Sequence, residues 1–157
     1  VYDHGNGVAC LLYNPATDSV LLTKQFRLPA FLNGAQPLMI EAPAGLIEGA
    51  PALEQMQAEL MQETGYQIAE LDHLFDIYAS PGSVSESISL YRGFYSAADK
   101  VGEGGGVHEE GEDIEVLELP FSEAWAMIDT GEICDAKTVI LLQRLYIEKL
   151  EQIRHEP

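Results

Sequence analysis

Apolar residues fall in short runs whose spacing changes along the chain. Val8–Tyr13 and Ser19–Phe26 have the length of strands. The residues between them include Asn14-Pro15 and Thr17-Asp18, which favour turns, so the pair predicts a hairpin. Leu38–Ala42 is a short apolar strand running into Pro43. Over Pro51–Thr64 the spacing becomes helical, with Leu53, Met56 and Leu60 on one stripe and Gly65 as a C-terminal stop. Leu74–Ala79 and Ser87–Tyr95 predict two further strands joined through Pro81-Gly82. Lys100–Gly111 is glycine-rich and acidic and predicts a loop. Ile114–Leu119 alternates as a strand does. Ser122–Asp129 predicts a short helix ended by Gly131, and Asp135 can cap a longer one from Ala136 to about Gln152. Strands thus outnumber three helices. The expected fold class is α+β, an α/β/α sandwich with a mixed sheet flanked by helices, in one domain over residues 1–157.

Charge changes this picture. The 157 residues carry 26 acidic and 8 basic side chains, a formal net charge of −18. Such a balance argues against nucleic acid or an anionic membrane as the main partner. It leaves two readings, an ordinary acidic surface or carboxylates that hold cations for an anionic substrate. No apolar run reaches the roughly 18 residues of a membrane helix. Cys10 and Cys134 form no Cys-x-x-Cys pattern. They are read as free thiols of a reducing compartment, the cytoplasm, and not as a zinc site.

Position separates the two readings of the acidic charge. Glu59 and Glu63 stand four residues apart on the predicted helix Pro51–Thr64, one above the other beside its apolar stripe. No lysine or arginine lies in that helix. A lone pair of this kind is usually a solvated face. Here it borders the core, where two carboxylates need a cation or ample water between them. Mg²⁺ accepts such oxygen ligands. Among the first 91 residues only Lys24 and Arg27 are basic, which makes Arg27 conspicuous. A guanidinium can fork onto a diphosphate.

The surroundings of Glu59 and Glu63 resemble a known motif. Gly45 opens it, and Glu59-Leu60-Met61-Gln62-Glu63-Thr64-Gly65-Tyr66 closes it. This is similar to the Nudix box, whose specific tail is Glu-x-x-x-Glu-x-Gly. Ala58 stands where that family has Arg, Gln62 replaces a Glu, and the interval from Gly45 to Glu59 is one residue short, with Ala50 near the place of the upstream Glu. Glu41-Ala42-Pro43-Ala44-Gly45, Ser80-Pro81-Gly82 through Glu86, and Gln25-Phe26-Arg27 resemble the nucleotide-sugar and ADP-ribose pyrophosphatase branch of the Nudix superfamily. With the glycine run at Gly104–Val107, the stretch Glu112–Pro120 and Asp135-Ala136-Lys137-Thr138, the similarity spans nearly the whole chain.

The resemblance implies a Nudix fold and Mg²⁺- or Mn²⁺-dependent hydrolysis of the diphosphate of a nucleotide sugar. GDP-mannose is expected first and ADP-ribose second. The alternative is a degenerate fold that binds a nucleotide or a protein without turnover, which Ala58 and Gln62 favour. Glu59, Glu63, Gln62 and the main-chain carbonyl of Ala44 are the implied metal ligands. The implied base lies in the acidic loop, at Glu110 or Glu112, unless that loop is merely a solvated charge run. Arg27, Glu41 and Glu86 are expected at the substrate, with Glu41 in the family orienting the arginine that Ala58 replaces. A homodimer is implied too, with an N-terminal segment exchanged between subunits. The chain opens at Val1 and not at Met, so that segment is expected to be missing.

Overall fold

The computed structural model describes residues 1–3 and 5–155, without side chains at 110 and 155. In chain order the strands are β1 (Gly7–Asn14), β2 (Ser19–Phe26), β3 (Leu38–Glu41), β4 (Ala44–Leu46), β5 (Leu71–Ile77), β6 (Ile88–Phe94) and β7 (Glu115–Pro120). The helices are α1 (Leu28–Leu32), α2 (Ala52–Thr64), α3 (Phe121–Thr130) and α4 (Ala136–His155). Short 3₁₀ turns sit at Ala97–Asp99 and His108–Glu110.

All strands join one mixed sheet. β1 and β6 run parallel through its centre, and the other pairings are antiparallel. Every residue of β1 is buried, as a strand covered on both faces requires. Its alternation splits the core. Ala9, Leu11 and Tyr13 face one side, with Phe121 of α3 and Leu141, Leu142 and Leu145 of α4. Val8, Cys10 and Leu12 face the other, with Met56 and Leu60 of α2. The result is the expected α/β/α sandwich.

One departure from a regular sheet positions the cleft. β1 and β2 pair only near their turn, Leu12 with Leu21 through Asn14 with Ser19. Further out they splay. There β2 takes β3 as partner, Thr23 with Glu41, and β1 takes β4, Ala9 with Ala44. The segment Glu41–Gly45 fills the wedge between them. The Cys10 N–H donates to the Pro43 carbonyl at 3.0 Å, which pins its middle.

Several expectations are corrected. Among the described residues there are four α-helices where the pattern predicts three. α1 was missed because it is five residues long and begins at Leu28-Pro29. β4 is three residues long and carries no alternation. Leu53 does not belong to the core stripe. It is 40% exposed, while Met56 and Leu60 are fully buried. The longer helix runs on to His155, past the expected Gln152.

Candidate active site

The wedge opens into a cleft of about 500 Å³. Ala44, Glu59, Gln62, Glu63, Arg27, Glu86 and Glu112 all line it. Glu41 does not line it and lies directly behind. The side chain of Glu110 lies outside the described residues.

One wall is built by β4 and the last two turns of α2. A Cβ at Gly45 would lie 2.1 Å from the Glu59 carboxyl carbon, so any side chain there would push that carboxylate out of its place. The carboxylate therefore rests on bare main chain. Gln55, one turn earlier, donates to Glu59 Oε1 at 2.9 Å. Glu63 is only 2% exposed and accepts a hydrogen bond from the Ala44 N–H at 3.0 Å. In an extended residue the N–H and C=O point to the same side, and neighbouring residues alternate. The Pro43 carbonyl faces β1, so the Ala44 carbonyl faces away from β1, towards Glu63. Burial, reinforced by the carboxylates of Glu59 and Glu112, pushes the Glu63 pKa up to about 8, against the pull of the Ala44 N–H and Arg27.

The C-terminal end of α2 is tied to the acidic loop through main chain. The N–H of Gly105 donates to the Glu63 carbonyl at 2.9 Å and that of Gly106 to the Gln62 carbonyl at 3.0 Å. Gly104, at φ +70°, comes so close that a Cβ would stand 2.4 Å from the Glu63 oxygen. This explains the glycine run: three residues without side chains let the acidic loop dock on the helix end. The same loop then brings Glu112 to the cleft. Its carboxylate accepts from the Val107 N–H at 2.8 Å.

The opposite wall is a closed ion-pair network. Arg27 forks onto Glu41, Nε to Oε1 at 2.7 Å and Nη2 to Oε2 at 3.2 Å. Lys137 Nζ reaches Glu41 Oε2 at 2.7 Å and Asp135 Oδ1 at 2.9 Å. Asp135 caps α4 by accepting from Thr138 N–H and Oγ1. Thr138 Oγ1 in turn receives the Ala42 N–H at 2.8 Å, which ties α4 to the wedge. Burial opposes the charge of Glu41, yet Lys137 and Arg27 outweigh it and hold this carboxylate below its usual range. The cation that Glu41 lacks at Ala58 thus comes from β2's end and from α4. Lys137 lines the cleft and carried no assigned role in the sequence. A lysine at a helix start ordinarily reads as solvated, and only the tertiary fold brings it to Glu41.

The donors on the acidic wall fit a hard divalent cation. They are the carboxylates of Glu59 and Glu63 and a main-chain carbonyl, all oxygen. A buried carboxylate with a raised proton affinity and no basic partner on its own helix needs such a charge. Among the described residues no three acidic, histidine or cysteine side chains cluster as a complete cage.

No family model matches the chain. Three curated relatives show what it is similar to. A GDP-mannose pyrophosphatase of Pectobacterium atrosepticum is 47% identical over 148 residues, covering 94% of this chain and 76% of the relative. Proteins of the same name from Shigella flexneri and Citrobacter koseri are 47% and 46% identical over 151 residues, covering 96% of this chain and 78% of theirs. Identity at that level over nearly the whole chain, together with the motif and the sandwich, places it: the chain belongs to the GDP-mannose pyrophosphatase family of Nudix hydrolases.

Proposed function

We propose that the protein hydrolyses the diphosphate of GDP-mannose to GMP and mannose 1-phosphate, with Mg²⁺ as its cation and Mn²⁺ as a substitute. The observation that carries this reading is the meeting of Glu59 and Glu63 on bare main chain at Gly45 and Ala44, across the cleft from Arg27 and Lys137. When bound, the cation neutralises diphosphate oxygens and acidifies water. Glu59, Glu63 and the Ala44 carbonyl would hold it, and Gln62 would add at most a neutral oxygen.

The chain's own residues do the rest. Glu41 holds the Nε–Nη2 edge of Arg27, which leaves the outer edge of the guanidinium, at Nη1, for the diphosphate. Lys137 adds a second positive charge to the same wall. Glu112 takes the proton of the attacking water as the new P–O bond forms and the bridging P–O bond breaks. Its place at the cleft and its main-chain anchor support that role, for which Glu110 stands as the other candidate. Glu86 lines the cleft beside Gly7 and offers an acceptor to a sugar or ribose hydroxyl.

The test is direct. Purified protein should release GMP and mannose 1-phosphate from GDP-mannose with Mg²⁺ and not with a chelator present. Binding of GDP-mannose without turnover at any metal concentration would establish the non-catalytic alternative.

A homodimer belongs to the same proposal. Phe26, Leu28, Phe31 and Leu32 form an exposed apolar group around α1, with the rings of Phe26 and Phe31 5.6 Å apart. A patch of that kind suits a subunit contact, and light scattering tests it. Among the described residues no helix is long and apolar enough to cross a membrane. Both cysteines are free, which suits a reducing compartment such as the cytoplasm.

A further inference from the structure

Gln25 sits on β2 two residues before Arg27, so the two share one face of the strand. It pairs through its backbone with Met39 of β3. The residue is 9% exposed and lines the cleft. Its neighbour on the same face, Thr23, is fully buried and spends its hydroxyl on the Glu41 carbonyl at 3.2 Å. The Gln25 amide differs. Among the described residues its side chain makes no hydrogen bond, and what little of it is accessible opens on the cleft.

The residue is enclosed, yet its amide atoms still reach the cleft and stay open to whatever enters it. It lies within a dense network in which Arg27, Glu41, Lys137, Asp135 and Thr138 are all mutually engaged. Folding leaves it out. Structural economy would place a methionine or leucine at a site so enclosed. A polar group kept there is one whose partner arrives from outside.

The ladder between β2 and β7 shows which part of a ligand passes it. The last pair is Lys24 with Glu115. Beyond it β7 ends, and Gln25 and Arg27 look onto open cleft where the loop bearing Glu112 departs. The diphosphate has to cross this strip, between the cations of one wall and the carboxylates of the other.

We infer that Gln25 is a substrate-contacting residue whose side-chain N–H donates to a diphosphate oxygen beside Arg27. The inference rests on reading the cleft as a nucleotide-sugar site. An amide suits this place better than a third cation. It binds the anion without adding a charge that would compete with Arg27 and Lys137 for Glu41, and it can donate to phosphate while accepting from water.

Gln25→Met keeps length and removes the donor. Gln25→Glu keeps shape and offers only acceptors at neutral pH. The experiment compares both with wild type in three measurements: kcat and KM for GDP-mannose with Mg²⁺, calorimetric affinity for GDP, and thermal midpoint. For Gln25→Met we expect KM for GDP-mannose and Kd for GDP to rise together by about tenfold, the scale of one charge-assisted hydrogen bond. Its kcat should stay within about threefold, and its thermal midpoint should stay close to wild type, because the amide has no protein hydrogen bond to lose. Gln25→Glu should bind more weakly still. Affinities of Gln25→Met within twofold of wild type would overturn the contact. A fall in thermal midpoint with unchanged affinities would assign Gln25 a structural role and overturn it as well. A loss confined to GDP-mannose, with GDP binding intact, would move the amide to the sugar and overturn the diphosphate assignment. Wild-type turnover separates this from the broader reading: if wild type hydrolyses GDP-mannose and the variants match it, only the role of Gln25 fails.

Discussion

Two glutamates on opposite walls of the cleft are almost equally buried, Glu41 at 3% and Glu63 at 2% exposure. They behave in opposite ways. Glu41 is held below its usual range and Glu63 is pushed up to about 8. Burial acts in the same direction on both, so it cannot be what separates them. Neighbours decide. Glu41 has Lys137 and Arg27 within hydrogen-bonding distance, which supply its countercharge from within the fold. Glu63 has the Ala44 N–H, with Glu59 and Glu112 close enough to repel it. One wall is complete as folded; the other is left short of positive charge. A buried carboxylate is therefore structural or functional according to whether the chain itself brings its cation.

The sharpest way to break this contrast is Glu63→Gln. Turnover should fall by roughly two to four orders of magnitude, as expected for loss of a principal metal ligand. The fold should persist, since the amide can still accept from Ala44. Steady-state kinetics with Mg²⁺ decide it, and activity equal to wild type at saturating metal would remove Glu63 from the site. Glu112→Gln comes next, with kcat lower by about a hundredfold and KM little changed, the pattern of a lost general base. A change in KM alone would make Glu112 a binding group.

On the other wall the loss should appear in stability. Glu41→Gln leaves Lys137 buried without its main countercharge, at a cost of about 3 kcal/mol. Arg27 contributes less of this, because its side chain is 43% exposed and water screens it. Urea unfolding at neutral pH reads the effect directly, and a change below 1 kcal/mol would mean that Asp135 alone suffices for Lys137.

The proton on Glu63 gives a subtler test. A carboxylate whose folded pKa lies above its unfolded value favours the folded state below about pH 4.5 and loses that contribution as pH rises to about 8. Metal-free wild type should thus lose thermal stability across this window relative to Glu63→Gln. The stabilisation conferred by Mg²⁺ should grow over the same interval, because the cation competes with the proton. Parallel curves for the two proteins would show that Glu63 does not titrate there. Glu41 has the opposite sign, and its contribution disappears only as pH falls below the ordinary carboxylate range. The smallest effect is expected from Gln62→Glu. It adds one carboxylate to the acidic wall and should tighten Mn²⁺ binding by about fivefold in a competition titration.

The two walls were unequally legible in the sequence. Glu59 and Glu63 could be found because both lie on one helix, where a spacing of four is itself geometry. The sandwich could be read because β1, β2 and α2 carry clear periodicities. The basic wall joins residues from β2's end, β3 and the start of α4, which no local period connects. Lys137 stood in a recognised stretch with no visible role, and Gln25 stood beside Arg27 without attracting notice. Their meaning depends on the splaying of β1 and β2, a tertiary event. The reason for Gly45 was equally hidden, since it lies in the position of the Glu59 carboxylate and not in any turn.

The docked glycine run has a consequence for where the chain can change length. Gly105 is clamped twice, to the Glu63 carbonyl and by the Ile114 N–H, which donates back to it at 3.1 Å. Val107 and Glu112 are joined in the same way further out, through the Glu112 N–H to the Val107 carbonyl and the Val107 N–H to the Glu112 carboxylate. The segment is a loop tied at its neck, and Glu112 is part of the knot. Residues inserted or deleted at the tip, between positions 108 and 111, leave the knot where it is. A single residue inserted between Gly104 and Gly106 would move Glu112 out of step with Glu63. Divergence among relatives should therefore collect as insertions and deletions at the tip, while the spacing of the glycines stays fixed, and a peptide tag grafted at the tip should leave catalysis intact.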